Sequence, residues 1–241
     1  MAHPYAFCPT IWHSPGRLAY LLVLLASASL LWSEAAAQSD EIHYPDPVIS
    51  NGYKVYLSPA RHTDAGSRGE CGSTNENELA YAAARNATLV TAPGFGLLER
   101  GYTVRIGRTT YQQAVTNSNS WGADVHVVLH SNARSESCSN TTASSHGTNI
   151  IHYNGSSNGL ALSNLLNQKV GPSSPGTRDY VCKNPGDPCT SIPLYELSAT
   201  RAVAAYSESE FHTWTTGYNW LRDPSWAWRL AWAIDEFLGF P

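Results

Sequence analysis

Charge is scarce in this chain. Only 14% of its 241 residues are Asp, Glu, Lys or Arg, the formal net charge is -4, and Lys54, Lys169 and Lys183 are its only lysines. A usual charged share is about 25%. With 11% aromatics the composition excludes a disordered tail, and so few lysines cannot build the basic stripe of a nucleic-acid surface. Long apolar runs are equally scarce, and no segment after residue 32 has the length to span a bilayer. Internal repeats and C-x-x-C pairs are absent, which excludes a repeat architecture and argues against a cysteine-held metal site.

The one long apolar run lies near the start. Residues 18–32, LAYLLVLLASASLLW, follow Arg17 and precede SEAAAQ, where Ala35, Ala36 and Ala37 supply the small residues that signal cleavage needs. Residues 1–37 therefore read as a secretory signal peptide, 38–51 as a polar lead-in segment, and 52–241 as a single catalytic domain with no separate binding module. The expected location is secreted or periplasmic, with no membrane attachment after cleavage. Arg17 and Glu34 leave together, so the exported chain keeps its weakly acidic balance. Cleavage also removes Cys8 and leaves Cys71, Cys138, Cys182 and Cys189, an even set that an oxidising compartment would pair. Cys182 and Cys189 flank KNPGDP and are placed to close a small loop; Cys71 and Cys138 remain for each other.

Hydrophobic periodicity predicts strands over 53–57, 102–106, 124–129 and 148–153, and helices over 76–90, 109–118, 158–170 and 225–240. The alternation implies a single α/β domain, a mostly parallel twisted sheet with helices on both faces. In such sheets reactive groups collect beyond the carboxyl ends of strands. After the first strand come His62, Asp64, Glu70 and Glu76; after DVHVVL come His130, Ser131 and Asn132; after AVAAY come Glu208, Glu210 and His212. Two histidines and a carboxylate from separate elements can hold Zn2+ with a fourth position open, and a further carboxylate can serve as base. Such a mixed N/O set suits zinc better than calcium or magnesium.

These residues resemble those of the zinc-dependent N-acetylmuramoyl-L-alanine amidases of the amidase 3 type, and the likeness runs over nearly the whole exported chain. The block NSWGADVHVVLHSNA, residues 119–133, is similar to the family's Asn, Ala-Asp, apolar strand and His-x-Asn-Ala, which implies His130 as a metal ligand. Thr74-Asn75-Glu76 resembles the segment where a glutamate opens the first helix, which implies Glu76 as a second ligand, with Glu78 as the neighbouring alternative. SESEFHTW resembles the family's Glu-x-x-Phe ending. That register implies Glu208, three residues before Phe211, as the catalytic glutamate rather than Glu210. The usual first ligand stands in Asp-Pro-Gly-His-Gly; here the loop reads Ser58-Pro59-Ala60-Arg61-His62, so His62 is implied one place later. WAIDEFLGFP is similar to the family's last helix.

The resemblance implies a Zn2+ enzyme acting on peptidoglycan, with the ion polarising the scissile amide and acidifying water while Glu208 moves the proton. Its bond would join N-acetylmuramic acid to L-alanine of the stem peptide. A zinc carboxypeptidase or endopeptidase would use the same residues. A non-catalytic wall-binding module would use instead the cluster Trp214, Tyr218, Trp220, Trp226, Trp228 and Trp232, most of which helix packing explains.

Overall fold

Alternating and continuous apolar runs build seven strands: β1 (Glu41–His43), β2 (Lys54–Pro59), β3 (Thr103–Ile106), β4 (Val125–Asn132), β5 (Asn149–Tyr153), β6 (Tyr180–Asn184) and β7 (Val203–Phe211). Among the described residues six α-helices accompany them: α1 (Glu76–Leu89), α2 (Tyr111–Trp121), α3 (Ser157–Val170), α4 (Tyr195–Ser198), α5 (Thr215–Arg222) and α6 (Trp228–Leu238). The structure, a computed structural model, describes residues 39–60, 71–89, 96–134, 137–186, 189 and 191–239. The expected signal peptide 1–37 and His62 lie outside the described residues. No helix among the described residues is long and apolar enough to cross a membrane.

The strands form one sheet in the order β1-β3-β2-β4-β7-β5-β6. Strands β3, β2, β4 and β7 run parallel to one another, β1 and β5 meet β3 and β7 antiparallel, and β6 runs parallel to β5. The sheet is thus mostly parallel, as the sequence pattern predicts. Two corrections concern its edges. Segment 38–51, read as a lead-in, supplies β1, whose Glu41 pairs with Ile106. Strand β6 has no forecast because YVCKN carries a cysteine and a lysine beside a turn-rich stretch, and only its pairing with β5 fixes it.

Burial on both faces explains the composition of the central strands. Val55, Leu57, Val125, Val127, Leu129 and Ala205 pack on one face with Leu79 and Ala83 of α1, Leu162 and Leu166 of α3, and Leu230 and Ile234 of α6. Val128, Ile151, Ala204 and Tyr206 pack on the other with Leu197 of α4, and α2 lies against α4 on that side. Each fully buried Leu or Ile of this kind contributes roughly 1.5–3 kcal/mol relative to exposure. Helix starts carry their own signals. Glu76 and Glu78 sit in the first turn of α1, where carboxylates oppose the macrodipole. Ser156 Oγ caps α3 by accepting from the Gly159 N–H at 3.0 Å. Disulfides join Cys71 to Cys138 and Cys182 to Cys189.

Candidate active site

The parallel neighbours β2, β4 and β7 end side by side, and the candidate residues gather at that carboxyl edge. His130 and Glu208 are register partners across β4 and β7. Period-2 alternation puts His130 on the face of Val128, and Glu208 on the face of Tyr206. The Tyr206 ring lies 4.8 Å from that of His130, nearly parallel to it. Both candidates were expected on loops beyond their strands; both lie within strands, because β4 runs to Asn132 and β7 to Phe211. Strand placement fixes their backbones more firmly than a loop would.

Glu76, the first residue of α1, completes the group. Its Oε1 lies 3.1 Å from His130 Nδ1 and accepts the Ser131 N–H at 2.9 Å. Both side chains are buried. Burial pushes the Glu76 carboxyl up, but the His130 hydrogen bond and charge, the Ser131 N–H and the nearby His212 together hold it below its ordinary value. Burial pushes His130 down, yet the hydrogen bond it donates to Glu76 and the charges of Glu208, Glu76 and Glu196 leave it raised. Glu208 is pushed up to about 7 by burial and by the charge of Glu76, with His130 opposing. Its Oε2 is shielded from solvent and has no hydrogen-bond partner among the described residues.

This donor set fits Zn2+. Two donors bound tetrahedrally at about 2.0–2.1 Å stand about 3.3 Å apart, and Glu76 Oε1 and His130 Nδ1 stand 3.1 Å apart. An imidazole and a carboxylate are ordinary zinc donors. Among the described residues no group of three or more His, Cys, Asp or Glu is arranged to hold a metal. Ala60 also lies at this edge: its N–H donates to the carbonyl of Leu129, the residue before His130, at 2.7 Å.

The structure separates the rest of the candidates. Glu210 is fully buried with a positive φ of 59°, and its carboxylate turns to the segment after α3, taking bonds from Ser174 Oγ and from the Gly176 N–H at 2.7 Å. Glu78 is exposed and lines a cleft of about 280 Å³ with Asn75, Tyr81 and Arg108. His126 is a buried core histidine, stacked on Tyr56 with ring centroids 5.0 Å apart and 3.3 Å from Glu196 Oε1. Trp214, Tyr218 and Trp226 are buried. Sequence reasoning gave no role to Ser131, His212 and Tyr206. Tyr206 was within reach of the strand period, two residues before Glu208. His212 and Ser131 are brought together by folding, 81 residues apart in the chain.

No protein-family model matches the chain, and no curated protein does. Solved structures match it over most of their length. An N-acetylmuramoyl-L-alanine amidase from Clostridium difficile 630 superposes with a TM-score of 0.60 at 19% identity, covering 78% of this chain and 96% of that one. The catalytic domain of CwlV, an N-acetylmuramoyl-L-alanine amidase from Paenibacillus polymyxa, gives 0.58 at 17% identity over 77% and 98% of the two chains. Ami1, an N-acetylmuramyl-L-alanine amidase from Mycobacterium abscessus, gives 0.57 at 12% identity over 78% and 99%. The chain therefore has the α/β fold of amidase catalytic domains.

Proposed function

We propose that this protein is a secreted peptidoglycan hydrolase, a zinc-dependent N-acetylmuramoyl-L-alanine amidase that cleaves between N-acetylmuramic acid and the L-alanine of the stem peptide. One observation carries the reading: His130, Glu76 and Glu208 meet at the carboxyl edge of the parallel strands, with His130 and Glu208 in register, on a fold shared with amidases. Glu76 and His130 would hold the zinc, with His62 as the third ligand on the strength of the motif resemblance. When bound, the ion supplies Lewis acidity to the amide carbonyl and lowers the pKa of water from about 15.7 toward 7.

The remaining work falls to side chains. Glu208 receives the proton of the attacking water on its carboxylate, where Oε2 has no competing donor among the described residues. The protonated Glu208 then passes that proton to the leaving nitrogen, which departs poorly as an anion; such help is worth roughly 10²- to 10⁴-fold. The Ser131 N–H keeps the Glu76 carboxylate turned toward His130. The Tyr206 ring packs against the imidazole and limits its rotation.

Mass spectrometry of muropeptides digested with and without a chelator tests the proposal. Release of an intact stem peptide with a free L-alanine amino terminus, abolished by chelation and restored by zinc, is the expected result. Cleavage within the peptide would instead mark a zinc peptidase, and binding without turnover in zinc-supplied protein would mark a wall-binding module.

A further inference from the structure

His212 immediately follows β7 and is 4% exposed. Its backbone joins two segments of the candidate site: the N–H donates to the Asn132 carbonyl at 3.1 Å, and the carbonyl accepts the Cys71 N–H at 3.1 Å. Its ring makes a third connection, a 2.8 Å hydrogen bond between Nδ1 and Ser131 Oγ. The Ser131 N–H in turn donates to Glu76 Oε1. One residue thus touches the strand end that carries His130 and the segment that leads into Glu76.

Ser131 needs such support. The β4–β7 register shifts between His130 and Asn132, where Ser131 of β4 stands opposite both Ser209 and Glu210 of β7, so Ser131 faces a bulge and the ladder there does not fix its peptide orientation. Both Ser131 and His212 are buried, so water cannot readily replace the bond between them.

We propose that His212 is a positioning residue for the metal site: through the Ser131 hydroxyl it sets the Ser131 peptide, whose N–H holds the Glu76 carboxylate beside His130. The proposal rests on reading Glu76 and His130 as zinc ligands. Hydrogen-bond partners of metal ligands typically contribute about 10- to 100-fold to metal affinity or activity, and that is the size of effect expected here.

The test uses the disulfide-bonded protein and its variants His212→Leu, His212→Asn, Ser131→Ala and the double variant His212→Leu/Ser131→Ala. Zinc affinity is measured by competition with a chromophoric chelator, alongside thermal unfolding of the metal-free forms. His212→Leu and Ser131→Ala should each weaken zinc binding about 10- to 100-fold, and the double variant no further than either single, because both break one chain of contacts. His212→Asn, whose amide can stand where Nδ1 stands, should retain wild-type affinity. Excess zinc should restore hydrolysis by His212→Leu with KM unchanged, which a merely loosened fold would not do. Unchanged zinc affinity in His212→Leu, or additive losses in the double variant, overturns this proposal alone. A wild-type protein that takes up no zinc overturns the zinc reading and this proposal with it.

Discussion

His130 and Glu208 face each other in register across β4 and β7, so the separation between a candidate ligand and a candidate base is set by a strand ladder rather than by loop conformations. That arrangement makes the base replaceable without disturbing the ligands. Glu208→Gln keeps the shape of the side chain and removes its proton affinity. The variant should bind zinc stoichiometrically while hydrolysis falls by about 10²- to 10⁴-fold. Near-normal turnover would remove Glu208 from the mechanism.

Glu76 and His130 predict the opposite phenotype. They contact each other at 3.1 Å, and replacing either removes that contact from a buried site. His130→Ala and Glu76→Gln should lose zinc and activity together. Chelation of the wild-type protein should reproduce the loss reversibly, read by metal content against turnover. A His130→Ala variant that still holds one zinc per chain tightly would contradict the ligand assignment.

The parts of the sheet that repeat a period were readable from sequence, and those that depend on partners were not. DVHVVL announces β4 because a strand covered on both faces must be apolar throughout, and the alanine stripe of α1 announces a helix lying flat on a sheet. Strand β7 was visible only as far as AVAAY. Beyond it SESEF looks like a polar loop, since its serines and glutamates meet their partners in β4, β5 and the segment after α3. Glu208 was singled out by its spacing from Phe211, whereas His212 lacked any spacing signal: its partners Cys71, Ser131 and Asn132 lie far away in the chain. The preference for Glu208 over Glu210 came from register alone; the fold adds that Glu210 is held elsewhere.

The two disulfides should differ in what they stabilise. Cys71 and Cys138 close a loop with a sequence separation of 67, and Cys182 and Cys189 one of 7. Loop-closure entropy assigns about 4.4 kcal/mol to the first and about 2.5 kcal/mol to the second. Peptide mapping without reduction should show both pairs, and denaturation of Cys71→Ser/Cys138→Ser should show the larger loss. Loss of this disulfide also loosens the segment whose Cys71 N–H donates to the His212 carbonyl, so that variant should bind zinc more weakly as well. Equal stability losses for both pairs would mean that loop length does not govern their contribution.

Glu210 supplies a pH prediction whose sign follows from its burial. Burial pushes its carboxyl up more than Ser174, the Gly176 and Phe211 N–H groups and His146 pull it down, so the folded value is raised. A raised acid binds its proton more tightly in the folded than in the unfolded chain. Its contribution to stability is therefore full below the unfolded value of about 4.3 and declines as pH rises through the folded value. The variant Glu210→Gln keeps an acceptor for the Gly176 N–H and does not titrate. The stability difference, wild type minus variant, should consequently fall as pH rises from about 4 and then level off, measured by urea midpoints across that range. Turnover of the folded variant should stay near wild type, since this carboxylate is engaged by Ser174 and Gly176. Gly176→Ala should damage the same contact sterically, because its added Cβ would land on the His146 carbonyl and Glu210 Oε1, at a cost of about 1–3 kcal/mol. A stability difference that rises with pH would show that the Glu210 carboxylate is stabilised, not strained, by its surroundings.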